Sequence, residues 1–299
     1  MIGTVDVVPL LGQTPRVPSP PPLPPSGPVA GRRRWNAPLI VGTVSLVLLG
    51  GMALVPGAFT GADPRSCDLA DSLASPSWRH PLGFDLFGCD LAAKVVYGAR
   101  TSLLLAVAVV TVAGLAALVL GTLAGYAGGL VDGVVSRVTD VWSGIPLVLG
   151  GVILLSSTDR RGVWQVVAVL SAFSWPPMVR IVRASTRQVL VLDYVTSARA
   201  LGAGPLRLLR RHVLPNATRP LAVFASAYAG VLVSAEAILT FAGVGLQRPT
   251  DSWGILLQQG GEAASRAPHA LVGPSVVLVM AVAAFVLLGE GLRSRPVHR

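Results

Sequence analysis

The sequence predicts an all-α integral membrane protein with about six transmembrane helices, and three observations lead there. Only 13% of its 299 residues are charged, against about 25% in a soluble globular domain. Mean hydropathy is +0.66. The apolar residues are gathered into runs long enough to cross about 30 Å of hydrocarbon at about 1.5 Å of helix per residue.

The elements follow in order. Residues 1–36 are Pro-rich and close on Arg32, Arg33 and Arg34. They bury too little apolar surface to offset their ordering entropy, so they are expected to form a disordered cytoplasmic tail. Residues 37–58 form the first span, whose apolar stretch is longer than a signal-peptide core. An acidic extracytoplasmic loop is expected over 59–100, and a core of five further helices over 101–291. Its spans are expected at about 101–125, 138–157 with Pro146 inside, 162–179 with Pro176 and Pro177 near the end, 220–243 and 270–289. Proline inside a span is tolerated when a neighbour re-satisfies the freed carbonyl. Residues 292–299 make a short cytoplasmic tail.

The net charge of +10 raises nucleic acid as a ligand, but its distribution argues against it. The Arg residues lie between the apolar runs, as topology signals do, and no basic patch is interleaved with aromatics. With the N-terminus inside, 16 of the 24 Lys and Arg residues fall in inside segments, which supports both termini being cytoplasmic; Arg160 and Arg161 dissent. Lys94 is the sole lysine and sits in Ala93-Lys94-Val95. A P-loop needs Gly-Lys-Ser/Thr to hold phosphates, so this chain has none.

The inside loop, 180–219, has one acid, Asp193, and eight arginines. It reads as two short helices around a Gly204-Pro205 break. Tyr194, Ala198 and Leu201 are expected on one face, and Leu206, Leu209 and Val213 repeat the pattern. Small residues at Ser197, Ala198, Ala200, Gly202 and Ala203 would allow close approach to another surface. The bland alternative is a solvated basic turn that only sets topology.

This loop resembles the cytoplasmic "EAA" loop of ABC importer permeases, whose pattern is Glu-Ala-Ala, then Gly, then Ile-x-Leu-Pro. Thr196-Ser197-Ala198 stands for the triplet, Gly202 for the glycine and Val213-Leu214-Pro215 for the end; Thr196 departs from the usual Glu. The strings 198–203 and 211–216 resemble the second permease of the peptide and nickel branch. His80-Pro81-Leu82-Gly83-Phe84-Asp85 with Gly88 and Asp90, Tyr97-Gly98-Ala99-Arg100-Thr101-Ser102-Leu103, Ser234-Ala235-Glu236 and Phe241-Ala242-Gly243-Val244-Gly245 also resemble that branch, although Phe84 and Cys89 depart.

The resemblance implies the type I ABC importer permease fold and a transport subunit rather than an enzyme, with peptides or a related solute such as a nickel chelate as cargo. It implies a heterodimer with a second homologous permease, two ABC ATPase subunits that bind ATP and Mg, an extracytoplasmic substrate-binding protein, and no cofactor in this chain. Tyr194, Thr196, Ser197, Ala198, Arg199, Ala200, Leu201, Gly202, Ala203, Leu214 and Pro215 become the expected ATPase-coupling residues.

Glu236 is the one acid well inside a span. Such a carboxylate faces a cavity or the bundle interior; satisfaction by hydroxyl or backbone groups at the permease–permease interface is the favoured reading. Cys67 and Cys89 share the outside loop and are expected to form a disulfide, the other reading being two free thiols. His80, His212, His269 and His298 have no metal-pair spacing. A secondary transporter is the main competing function. It calls for internal repeats and buried coupling charges, and the chain shows no evident repeat. An intramembrane enzyme would need a convergent polar set that the spans lack.

Overall fold

Asn36 sets the first contact of the fold: its amide Nδ2 donates to the Gly291 carbonyl at 2.8 Å and to Ser294 Oγ at 2.7 Å. In the computed structural model, which describes residues 36–158 and 161–294, this contact joins the start of α1 (Ala37–Leu54) to the end of the last helix. The Pro-rich tail and residues 295–299 lie outside the described residues.

Between α1 and α2 (Leu91–Ala127) the chain makes two 3-10 turns and an isolated bridge between Cys67 and Cys89, whose Sγ atoms are bonded. The helix begins at Leu91 and not at residue 101, so the expected loop 59–100 ends at Asp90. Two local interactions explain the earlier start. Asp90 Oδ1 accepts from the Ala93 amide at 2.7 Å, an N-cap. Lys94, whose charge marked the segment as loop, donates to Asp85 Oδ2 at 2.7 Å, and the two side chains are only 4% and 3% exposed.

The expected span 138–157 is two helices. α3 (Gly129–Ser143) and α4 (Leu147–Ser156) meet at a 77° bend. Pro146 disfavours helical geometry at the residue before it, so the chain breaks there. α4 is too short to cross a bilayer alone. The described residues therefore hold five helices that meet the length and apolarity of a span, or six when the bent pair counts as one.

α5 (Val163–Leu190) passes Pro176 and Pro177 and continues well beyond residue 179. Pro176 has no N–H for the Ala172 carbonyl, and Trp142 Nε1 of α3 donates to that oxygen instead, at 2.6 Å. The short helices α6 (Asp193–Ala200) and α7 (Pro205–Leu208) follow, then a π-turn at Leu209–Val213 that runs into α8 (Leu214–Phe241). The expected loop 180–219 thus contracts to the stretch between Leu190 and Leu214, because the arginines flanking it lie on helix ends.

α9 (Trp253–Ala263) was not expected, since it is too short and mixed to read as a span. Ser252 Oγ caps it by accepting from Ile255, while the Trp253 indole donates to the Val95 carbonyl of α2 at 2.9 Å. α10 (His269–Arg293) closes the bundle and extends past residue 289 into the expected C-terminal tail.

α2 and α5 form the most extensive seam. A Cβ at Gly121 would fall 2.7 Å from Val182 Cβ, and one at Gly125 would fall 2.7 Å from Thr186 Cβ. Only glycine admits that approach, the small-residue packing that holds helices together in lipid. Apolar clusters run along this seam and α8, from Leu105, Val109, Leu170 and Leu239 to Ala117, Met178, Val182 and Leu221.

Candidate coupling site at one end of the bundle

The segment between α5 and α8 is built around a small apolar knot. Val195 of α6 and Val213 of the π-turn are fully buried against Val189 of α5 and Leu208 of α7. This corrects the face expected from spacing. Val195 faces inward with Ala198 beside it, whereas Leu201 is 89% and Leu206 65% exposed, and Tyr194 is exposed as well. The expected faces are therefore divided: Tyr194 and Leu201 look outward while Ala198 turns toward the knot, and of the repeat Leu206 looks outward while Leu209 and Val213 join the knot.

Of the other expected coupling residues, Thr196, Ser197, Arg199, Ala200, Gly202 and Pro215 are exposed, and Ala203 and Leu214 are half-buried. The structure brings Tyr194 to Leu201 onto one short helix and Gly202 and Ala203 onto its end. Leu214 and Pro215 open α8. Tyr194 packs against His212 with the rings tilted by 50° and their centroids 5.5 Å apart, and Asn216 Nδ2 donates to the His212 carbonyl at 2.7 Å. These contacts tie α6 to the start of α8.

Gly202 is demanded by backbone geometry. Its φ is +85°, with its N–H donating to the Arg199 carbonyl and that of Ala203 to the Ala198 carbonyl, both at 3.0 Å. This is a Schellman C-cap, which favours glycine at that position. A Cβ there would meet nothing within 4 Å in this chain. A cavity of about 450 Å³ opens beside it, lined by Gly202, Pro205, Leu206, Arg207 and Arg210. The surface is therefore an exposed apolar edge, Tyr194, Leu201 and Leu206, flanked by Arg199, Arg207 and Arg210.

Sequence reasoning missed the brace above this surface. Asp132 of α3 takes Arg183 through both carboxylate oxygens, Arg183 Nη2 lying 2.7 Å from Oδ2, and Arg187 Nη2 at 2.5 Å. Arg183 and Arg187 are four residues apart and so share one helix face. That spacing was the available signal, but it was hidden while both residues counted only as topology charges.

Glu236 of α8 is 0% exposed. Its Oε1 accepts from Thr240 Oγ1 at 2.9 Å and Ser252 Oγ at 3.2 Å. A Cβ on Gly254 would sit 2.9 Å from the same oxygen. The carboxylate therefore pins the start of α9 to α8 through hydroxyl groups, inside this chain's own bundle and not on a surface left for a second permease. At the same end, Asp85 Oδ1 accepts from the Phe87 and Cys89 amides, and His80 Nδ1 lies 2.6 Å from Asp90 Oδ2. The His80 to Asp90 string thus folds the disulfide-bearing loop. Among the described residues no group of three or more His, Cys, Asp or Glu could hold a metal ion.

Comparison with known proteins agrees with this architecture. The family described as "Binding-protein-dependent transport system inner membrane component" matches residues 117–295, and the chain belongs to it. It is a permease subunit of an ABC importer, a multi-pass inner-membrane component and not an enzyme. Relatives include the glutathione transport system permease protein GsiD of Pectobacterium atrosepticum, 36% identical over 73% of this chain and 72% of that one. The oligopeptide transport system permease protein OppC of Bacillus subtilis is 30% identical over 88% of this chain and 86% of its own length. The di/tripeptide transport system permease protein DppC of Pseudomonas aeruginosa is 34% identical over 74% and 75%. In fold, the chain is similar to an inward-facing MetNI methionine ABC transporter, with TM-score 0.53 and 22% identity over 67% of this chain and 95% of that one. Neither family nor fold supports the secondary-transporter reading.

Proposed function

We propose that this chain forms half of a translocation pathway for peptides, pairs with a second homologous permease, and seats α6 and its C-cap in a groove of an ATPase subunit that binds ATP and Mg. The observation that carries the coupling role is the outward turn of Tyr194, Leu201 and Leu206 on a helix anchored from behind by Val195. Large apolar side chains held at a solvent-facing end imply a partner surface. Arg199, Arg207 and Arg210 beside them favour a partner with acidic groups. Because Thr196 stands where the family pattern has Glu, seating here relies on apolar packing and these arginines. The peptide class rests on the names of the relatives.

Both termini are assigned to the cytoplasm and the disulfide-closed loop to the other side, where a substrate-binding protein docks. Asn36 and Ser294 sharing one end supports equal sidedness of the two termini. The dissenting Arg161 serves a local contact, since its Nη1 donates to the Gly243 carbonyl at 2.9 Å.

The test is substrate-stimulated ATP hydrolysis by the complex co-expressed from neighbouring genes. Gly202→Asn keeps the left-handed C-cap and should retain most activity. Gly202→Trp and Leu201→Asp should assemble yet lose stimulation by about tenfold or more, as expected when a hot-spot contact worth about 2 kcal/mol is removed. Normal turnover by both disabling variants would refute the coupling role.

A further inference from the structure

The end of the bundle that carries the disulfide holds a second feature, on an exposed apolar face of the helices. A groove of about 590 Å³ runs between α1, α2 and α10. Leu46 and Leu54 of α1, Val107 of α2 and Phe285 of α10 give it apolar walls. Its rim holds one cation, Arg100, and one interfacial aromatic, Trp164 at the start of α5. No acidic residue lines it. Arg100 is exposed and makes no hydrogen bond or ion pair among the described residues. Leu103, Leu104 and Val107 follow it directly on α2.

A guanidinium beside hydrocarbon without a counter-charge is costly. Tryptophan is enriched where headgroups meet acyl chains, so Trp164 sets Arg100 at phosphate depth. Arginine matches a phosphate with two parallel hydrogen bonds. We propose that this groove is a binding site for one anionic phospholipid of the leaflet on the disulfide-bearing side. The phosphate pairs with Arg100, and one acyl chain lies along α1 between Leu46 and Leu54. Charge complementarity selects this occupant: a purely apolar partner helix would leave Arg100 unpaired.

The experiment uses the assembled importer, exchanged into vesicles of phosphatidylglycerol or phosphatidylcholine, extracted gently, and weighed by native mass spectrometry. The wild-type complex should retain phosphatidylglycerol in preference to phosphatidylcholine. Arg100→Gln should lower that occupancy about fivefold, the factor for the roughly 1 kcal/mol that one arginine contributes near an anionic surface. Arg100→Lys should restore part of it, and Arg266→Gln, an exposed arginine away from the groove, should change nothing. Leu104→Trp, which fills the groove while keeping the charge, should also expel the lipid. Equal retention of the two lipids by the wild-type complex would overturn the proposal, as would unchanged retention in Arg100→Gln. High-yield crosslinking of Val107→Cys to the partner permease would overturn it too, since the groove would then be a subunit interface.

Discussion

Lys94 and Asp85 lie almost wholly buried at the head of α2, so neither charge is neutralised by water. Removing one member of such a pair leaves the other uncompensated, at a cost of about 3–5 kcal/mol. Asp85 also accepts two amide hydrogen bonds from the turn at Phe87 and Cys89. Asp85→Asn should therefore lower the Tm of the complex more than Asp71→Asn, an exposed acid on the same loop, and an equal shift for the two would show that the pair contributes little. Asp251, in the connection before α9, is the opposite case. Burial, the leading cause, holds its carboxyl above the ordinary range; Asp85 pushes the same way, while Lys94, Arg248 and Arg65 pull it down. The folded chain then binds the proton more tightly than the unfolded one. Stability is full below the unfolded value and falls as pH rises through the folded one. Asp251→Asn should flatten this decline as pH rises above about 4, read as Tm against pH; an unchanged slope would rule Asp251 out as its source.

Single helices carry their constraints in the positions of proline and glycine, and these were partly legible. Proline inside a span asked for a neighbour to take the freed carbonyl, and Trp142 does so for Pro176. Trp142→Phe keeps the ring and removes the donor, leaving the Ala172 oxygen unpaired in a helix wall. It should destabilise the complex by about 1–3 kcal/mol in thermal unfolding, with Trp142→Leu losing more because contacts with Phe173 and Trp175 go as well. Retained stability in Trp142→Phe would mean that water reaches the carbonyl. Which helix breaks at its proline was not legible. Pro146 ends one helix and starts another, whereas Pro176 and Pro177 are carried through, and the difference lies in a donor thirty-four residues upstream of Pro176. Nor was α9 legible, since its burial rests on Glu236, Ser102 and Val95 supplying partners from distant helices.

At the scale of the whole chain, spans and family motifs were readable because lipid forces long apolar runs and because the motifs sit at fixed spacings. The orientation of α6 was not, because a short link to α5 lets either face turn inward and only Val189, Leu208 and Val213 decide. If α6 seats on an ATPase as proposed, that anchoring bears on how a push there would reach the pathway. Two routes leave the segment: the apolar knot under Val195 and the ionic brace of Asp132 with Arg183 and Arg187. The brace joins the foot of α5 to α3, which leads through the 77° bend into α4. If motion passes through it, Asp132→Asn should leave assembly and basal ATP hydrolysis near wild type while substrate-stimulated hydrolysis falls several-fold, the effect of losing about 1 kcal/mol of coupling. Val195→Ala, which loosens the knot and spares the brace, should lower basal and stimulated rates together. Full stimulation in Asp132→Asn would assign transmission to the knot and the α5–α2 seam behind it, and would make the brace a support for the foot of α5 alone.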